Sequence, residues 1–432
     1  MKNKILLAAV LLLTLNSELS TCFAQGALTP PGAPAPTMKT LTQIDAKLEP
    51  RTPISSAPFT ISTPGSYYLT TNLTTTVSNA IVITANGVTL DLNGFTIAST
   101  VASAANGGTA ILLAGGLKNV TIQNGFIRGS VTNNGSGVFS GGGFGSGINY
   151  SVSPPVNVLV AKVLVSGCLN FGIYLGTGDS TVVEACTTRT VGAYGIFAST
   201  VKGCAATDCG GTAIFGDQVS DCRGEDVGGS GDGIAANNVL NSYGSINGSG
   251  YGIATATAEN CNGYCSGGGG NGLVATTALN CYGYANGSGY GINGTTVQNC
   301  YGYSTGNGNG VNATAAQNCY GNSNGNGNGI SAASAENCYG ICSGSGNGIA
   351  SIISLNCIGG SNSGNGIYGT TAQNCYGSTG GSGNGILVTG LAIGCYGSSS
   401  SGTGLNAFIA NSCRGVSNTG TQLSTSHNVN SF

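Results

Sequence analysis

Charge is scarce in this chain. Only 6% of its 432 residues are Asp, Glu, Lys or Arg, and tryptophan is missing altogether. Twelve basic residues cannot form the dense Lys/Arg field that holds nucleic acid. His427 is the only histidine and no C-x-x-C pair occurs, so the ligand spacing usual for a structural zinc site is missing. Between Gly233 and Phe432 the charged residues are Glu259, Glu336 and Arg414 alone. That tract has no paired carboxylates for glycoside hydrolysis. It also lacks the carboxylate cage and proton acceptor of a calcium-dependent lyase. The 77 glycines do not fall at every third position, which excludes collagen. Hydrophobic residues still reach 40%, more than a charge-rich disordered segment carries.

The chain opens with the pattern of an export signal. Lys2 and Lys4 precede an apolar run, Ile5 to Leu15, too short to span a bilayer. Ala24 is the expected cleavage site, giving a signal peptide over 1–24, with lipoprotein processing at Cys22 as the alternative. The product is expected to be exported, either secreted or held at the cell surface or in the periplasm. No later stretch approaches membrane-spanning length. Residues 25–55 read as a leader, Pro-rich at 28–37, with a short helix from Met38 to Leu48. From 56 to 150 apolar and small polar residues alternate between Asn-Gly turns, as capping turns of a β-structure would. Val88, Leu90 and Leu92 share one face there, with Thr89, Asp91 and Asn93 opposite.

From 151 to 425 the chain repeats. Cysteine recurs at 168, 186, 204 and 222, and Ser242 fills the next place. It continues at 261, 281, 300, 319, 338, 357, 375, 395 and 413, in steps of 18 to 20 residues. A second column is aliphatic, from Ile196 through Ile292 to Leu405, and Asn precedes most of the cysteines. A period near 19 with so few apolar residues per unit is one turn of a coil, not a helix pair. Gly and Asn-Gly pairs interrupt every helical window. Short strands remain, each bonded to its copy one turn away at about 4.8 Å. The expected fold is all-β, a single-stranded solenoid, with residues 426–432 as a tail.

These columns resemble those of secreted bacterial right-handed parallel β-helix proteins of the pectate-lyase-like fold. The A-x-N-C segment matches the Asn ladder at a tight turn in that family. VTLDLNGFTI at 88–97, NVTIQNGFIRG at 119–129 and PPGAPAPTMKTL at 30–41 are similar to the opening of many members. The resemblance implies the fold. It leaves function open, because lyases, hydrolases, epimerases and adhesins share that fold.

Each column carries an expectation. The regular cysteines read as buried free thiols, since stacked Cβ atoms lie farther apart than a disulfide prefers. Cys204/Cys209, Cys261/Cys265 and Cys338/Cys342 are the pairs that local closure would use. With cysteine inward, the following tyrosines turn outward: Tyr243, Tyr282, Tyr301, Tyr320, Tyr339, Tyr376 and Tyr396, widened by Tyr284 and Tyr303. They read as a self-stacking ladder or as a stripe that meets sugar rings. Thr276, Thr295, Thr314, Thr370 and Thr371 form a broken outward set, suited to β-propensity more than to ordering water.

One acidic group stands out: Asp208, Asp217, Asp221, Glu225, Asp226 and Asp232, near Arg189, Lys202 and Arg223. Solvated turn residues account for it; a sugar-acid or cation site, with calcium as the fitting ion, is the functional alternative. The leading expectation is a structural or surface-binding protein that touches polysaccharide or cell-surface glycan through Tyr282, Tyr301, Tyr320, Tyr339, Tyr376 and Tyr396. It has no nucleic-acid partner, no resident cofactor or metal, and no residue in a catalytic role. The competing expectation is a polysaccharide lyase or glycoside hydrolase that uses the acidic group.

Overall fold

The computed structural model describes residues 50–178 and 180–432, together with Thr40 and Gln43. The signal peptide, Cys22, the Pro-rich leader and nearly all of the 38–48 helix lie outside the described residues. Thr40 and Gln43 trade backbone N–H donors for each other's side chains at 3.0 and 3.1 Å, as at a helix start.

Residues 52–432 wind into a parallel β-solenoid of about 20 turns with a period near 19 residues. One turn shows how the sequence makes the coil. Ile292–Gln298 is a strand, Asn299 and Cys300 form a corner, Tyr301–Ser304 is a second strand, and a Gly/Asn loop leads to Val311. Ile292 pairs in parallel with Val311, and Tyr301 with Tyr320. The aliphatic column continues unbroken from Ile196 to Leu405 in this register.

The corner requires a left-handed backbone. Asn241, Asn260, Asn280, Asn299, Asn318, Asn337, Asn356 and Asn374 hold it, with φ between 49° and 54°. Asn reaches that region at lower cost than most residues. The stacked side chains then bond along the axis. Asn299 Nδ2 donates to Asn280 Oδ1 at 3.2 Å, and Asn318 Nδ2 to Asn299 Oδ1 at 3.0 Å.

The cysteine after each corner is placed by hydrogen bonding as well as by burial. The Cys300 thiol donates to the carbonyls of Gln298 at 3.0 Å and Ala278 at 3.5 Å. Its sulfur accepts the backbone N–H of Cys281 at 3.3 Å. A small side chain that both donates and accepts suits the position, which explains the serines found there. Cys222 N–H donates to Ser242 Oγ at 3.1 Å, and Cys413 N–H to Ser431 Oγ at 3.0 Å. All sixteen cysteines among the described residues are free and buried.

Glycine sets the thickness of the coil. A Cβ on Gly302 would lie 2.1 Å from the Gly310 carbonyl oxygen and 2.8 Å from Val311 Cγ2. The two sheets therefore approach backbone to backbone at this level. In the loops a Cβ on Gly308 would lie 1.9 Å from the Gly289 oxygen, so successive loops nest without side chains between them.

Three sequence expectations are revised. Cys168 does not stack on Cys186. It pairs with Val191, which pairs with Cys209. Lys162, at φ 54°, is the corner of that turn, so Val163 occupies the place above Cys186, and its N–H donates to Cys186 Sγ at 3.4 Å. The 18-residue step from 168 to 186 is therefore a coincidence of turn lengths. The winding already begins at Thr52–Ile54, which pairs with 67–69, inside the expected leader. At the other end the expected tail is a rung: His427 pairs with Ile409, and Phe432 N–H bonds Cys413 O at 3.0 Å.

Candidate functional site

The outward column on the short strand is continuous in register from Arg223 to Arg414. It runs Arg223, Tyr243, Asn262, Tyr282, Tyr301, Tyr320, Tyr339, Ile358, Tyr376, Tyr396, Arg414. The intervening glycine of each Tyr-Gly pair points inward, so alternation along the strand forces the ring outward. Tyr282 and Tyr301 stack with centroids 5.2 Å apart and Tyr301 and Tyr320 at 4.8 Å, while Tyr339 lies 5.1 Å from Tyr320 with its ring tilted by 43°. Tyr376 and Tyr396 stack at 5.3 Å with planes 3° apart. Ile358 separates the two stacks. Two residues along, Tyr264, Tyr284 and Tyr303 form a second row, at 4.4 and 5.5 Å.

The rings face one another along the axis. The side chains are half-buried at Tyr282, Tyr301, Tyr320 and Tyr396 and exposed at Tyr339 and Tyr376. Partial burial, then the neighbouring phenols, push the hydroxyls of Tyr282 and Tyr301 above their ordinary pKa, so both remain protonated donors at neutral pH. Each end of the column carries a cation over a ring. The Arg223 guanidinium lies 5.3 Å from the Tyr243 centroid, and that of Arg414 lies 5.7 Å from Tyr396.

The Asn corner runs alongside. From Asn318 back to Asn241 each amide donates toward the N-terminal turn, and the row ends on Asp221 Oδ1, which accepts from Asn241 Nδ2 at 3.2 Å. A carboxylate at the donor end of aligned amides is electrostatically favourable. Asp221, itself at φ 55°, is thus the head of the ladder. It lines an open groove of about 580 Å³ together with Arg223, Asn241 and Tyr243.

The acidic residues do not converge. Asp208 accepts from Asn133 Nδ2 and Thr190 Oγ1, both at 2.7 Å, which ties down the hairpin of Ser130–Asn133 and Phe139–Gly142. Asp217 lies on another edge, accepting from Gly178 N and Asn237 Nδ2 at 3.2 Å. Glu225 forms an ion pair with Arg223. Asp226 points inward between Cys209 and Ile246, 2% exposed, with Oδ2 unbonded. Burial raises it to about 7, with Asp232 adding to the shift. Asp232 Oδ1 accepts from Tyr251 N at 2.8 Å. Among the described residues no three His, Cys, Asp or Glu side chains gather as a metal ion would require.

Two features escaped the sequence reading. Tyr150, Phe171, Tyr174, Tyr194, Phe197 and Phe215 form a cluster on the other sheet, with centroids 4.4 to 6.4 Å apart. The aromatic that directly follows Ile173, Ile196 and Ile214 was the signal for it. A second amide ladder runs through Asn309, Asn328, Asn347, Asn365 and Asn384 in the loops. The Gly-Asn-Gly periodicity encodes that one. Compared with known protein families, curated proteins and solved structures, the chain matches none.

Proposed function

We propose that this protein is an exported rod of the right-handed, pectate-lyase-like kind that binds glycan along its tyrosine column and performs no chemistry there. One observation carries the reading: phenol rings repeat at 4.8 to 5.2 Å from Tyr282 to Tyr339 on the outward side of the short strands. That repeat is comparable with the length of a sugar unit in an extended chain. Because the ring faces are occupied by each other, contact is made by ring edges and hydroxyls, which suit the mixed C–H and O–H surface of a sugar. Pre-stacked rings lose little side-chain freedom on binding. The acidic side chains around 208–232 are already engaged or separated, which favours binding over turnover.

Retention on immobilised polysaccharides tests the reading. The wild-type protein is expected to be retained without releasing product. The double variant Tyr301→Ala/Tyr320→Ala, shown to keep its fold by circular dichroism, is expected to elute early. Undiminished retention of that variant removes the column from the account. Turnover that disappears in Glu225→Ala establishes an enzyme instead.

A further inference from the structure

We infer that the glycan held by the tyrosine column is an uncharged polymer lying parallel to the rod axis. This rests on the reading above and narrows it to a substrate class. Two rows run side by side along the same turns: phenols from Tyr282 to Tyr339, and corner amides from Asn280 through Asn299 to Asn318. Both are neutral. Each corner amide uses one N–H along the ladder, which leaves its second N–H and a carbonyl lone pair for a ligand. The phenols add one hydroxyl per rung. Donors and acceptors therefore repeat once per turn in two parallel lines, a pattern that an axial chain of hydroxyl-bearing units can follow.

Charge decides the class. A polyuronate carries one carboxylate per unit and needs cations at the same repeat. Along the strip the chain supplies none. The guanidiniums of Arg223 and Arg414 lie at the two ends, and from Tyr243 to Tyr396 the charges are Glu259 and Glu336, both acidic. Glu336 is bonded into the neighbouring row by Gln317 Nε2 at 3.3 Å. An acidic polymer would meet like charge at the strip and no compensating cation. The uninterrupted part of the column spans four rungs, so affinity should rise with oligomer length and level off near four units.

Calorimetric titration with neutral gluco-oligosaccharides of graded length, and with galacturonate oligosaccharides of matching length, tests this in the full chain. It should be run at low salt and near 1 M, where the Debye length falls to about 3 Å. The expected result is binding of the neutral series, unchanged by salt and rising with length to the plateau. Tyr301→Ala/Tyr320→Ala should weaken it about tenfold or more, and Tyr301→Phe/Tyr320→Phe by less. Preference for galacturonates, lost at high salt and lost in the alanine variant, overturns the neutral assignment while the strip remains a glycan site. No binding of either series, or binding indifferent to the alanine substitutions, overturns the strip itself.

Discussion

The first turns and the later turns of this solenoid are held together by different means. In the first turns one winding buries several large aliphatic side chains, as Ile81, Ile83, Val88, Leu90, Leu92 and Ile97 do. There the interior is filled by Ile, Leu and Val, and turn lengths vary. Beyond Ile234 the interior of a typical turn is Cys, Ala, Gly and one aliphatic residue, with turn length nearly constant. Apolar area buried per turn is correspondingly smaller. Backbone ladders, corner amides, thiol hydrogen bonds and glycine contacts between sheets do more of the work. A coil can thus be thick and oily or thin and hydrogen-bonded within one chain, because each turn needs only to match its neighbours.

The largest break in this comparison should come from charge. Cys319→Asp puts a buried carboxylate where the thiol now donates to the carbonyls of Gln317 at 3.1 Å and Val297 at 3.3 Å, so two donor contacts become oxygen against oxygen. Loss of the cooperative melt for the surrounding turns is expected in hydrogen exchange. Cys319→Ser should stay near wild type, and Cys319→Val should cost about 1–3 kcal/mol for the stranded N–H. Deleting side chains contrasts the two regions directly. Leu90→Ala should cost about 3 kcal/mol, whereas Cys300→Ala should cost about 1 kcal/mol, measured by urea unfolding.

Glycine tests the packing of the later turns. Gly302→Ala forces the sheets apart and is expected to cost about 3 kcal/mol, while Gly360→Ala, whose Cβ meets nothing closer than Ser378 Oγ at 3.7 Å, should be near neutral. Comparable losses at both positions would refute backbone-to-backbone packing.

Asp226 sharpens the comparison through pH. Its carboxyl rises from 3.8 to about 7 on folding, so the folded chain holds this proton after the unfolded chain has released it. Its contribution is complete below pH 4 and declines as pH rises toward 7, the reverse of a salt-bridged carboxylate. Stability should therefore fall across that window in the wild type. Asp226→Asn should flatten the slope, and an unchanged slope would place the titrating group elsewhere. The smallest effect is expected at the corner: Asn299→Gly should be milder than Asn299→Ala, which should lose about 1 kcal/mol by melting, because alanine resists a φ of 54°.

Much of this was legible in the sequence for a specific reason. A solenoid converts contact between turns into a fixed sequence offset, so the inward Cys column, the aliphatic column and the outward tyrosines could be read by counting. Counting failed where turn length drifted. Cys168 shares an offset with Cys186 but belongs with Val191 and Cys209, because the left-handed corner at Lys162 sets the register. The acidic group looked like one site because its members are close in sequence; the winding distributes them among a corner, two edges and the interior.

The sequence alone determined the period, the strand-corner-strand order and which residues face inward, since these follow from local conformation and an offset of one turn. The tertiary structure decided how thin the coil is, which tyrosine rings stack on one another, and that Asp226 is buried without a partner at one oxygen. Those properties depend on distances across the core and on loop lengths summed over many turns, which no single repeat contains.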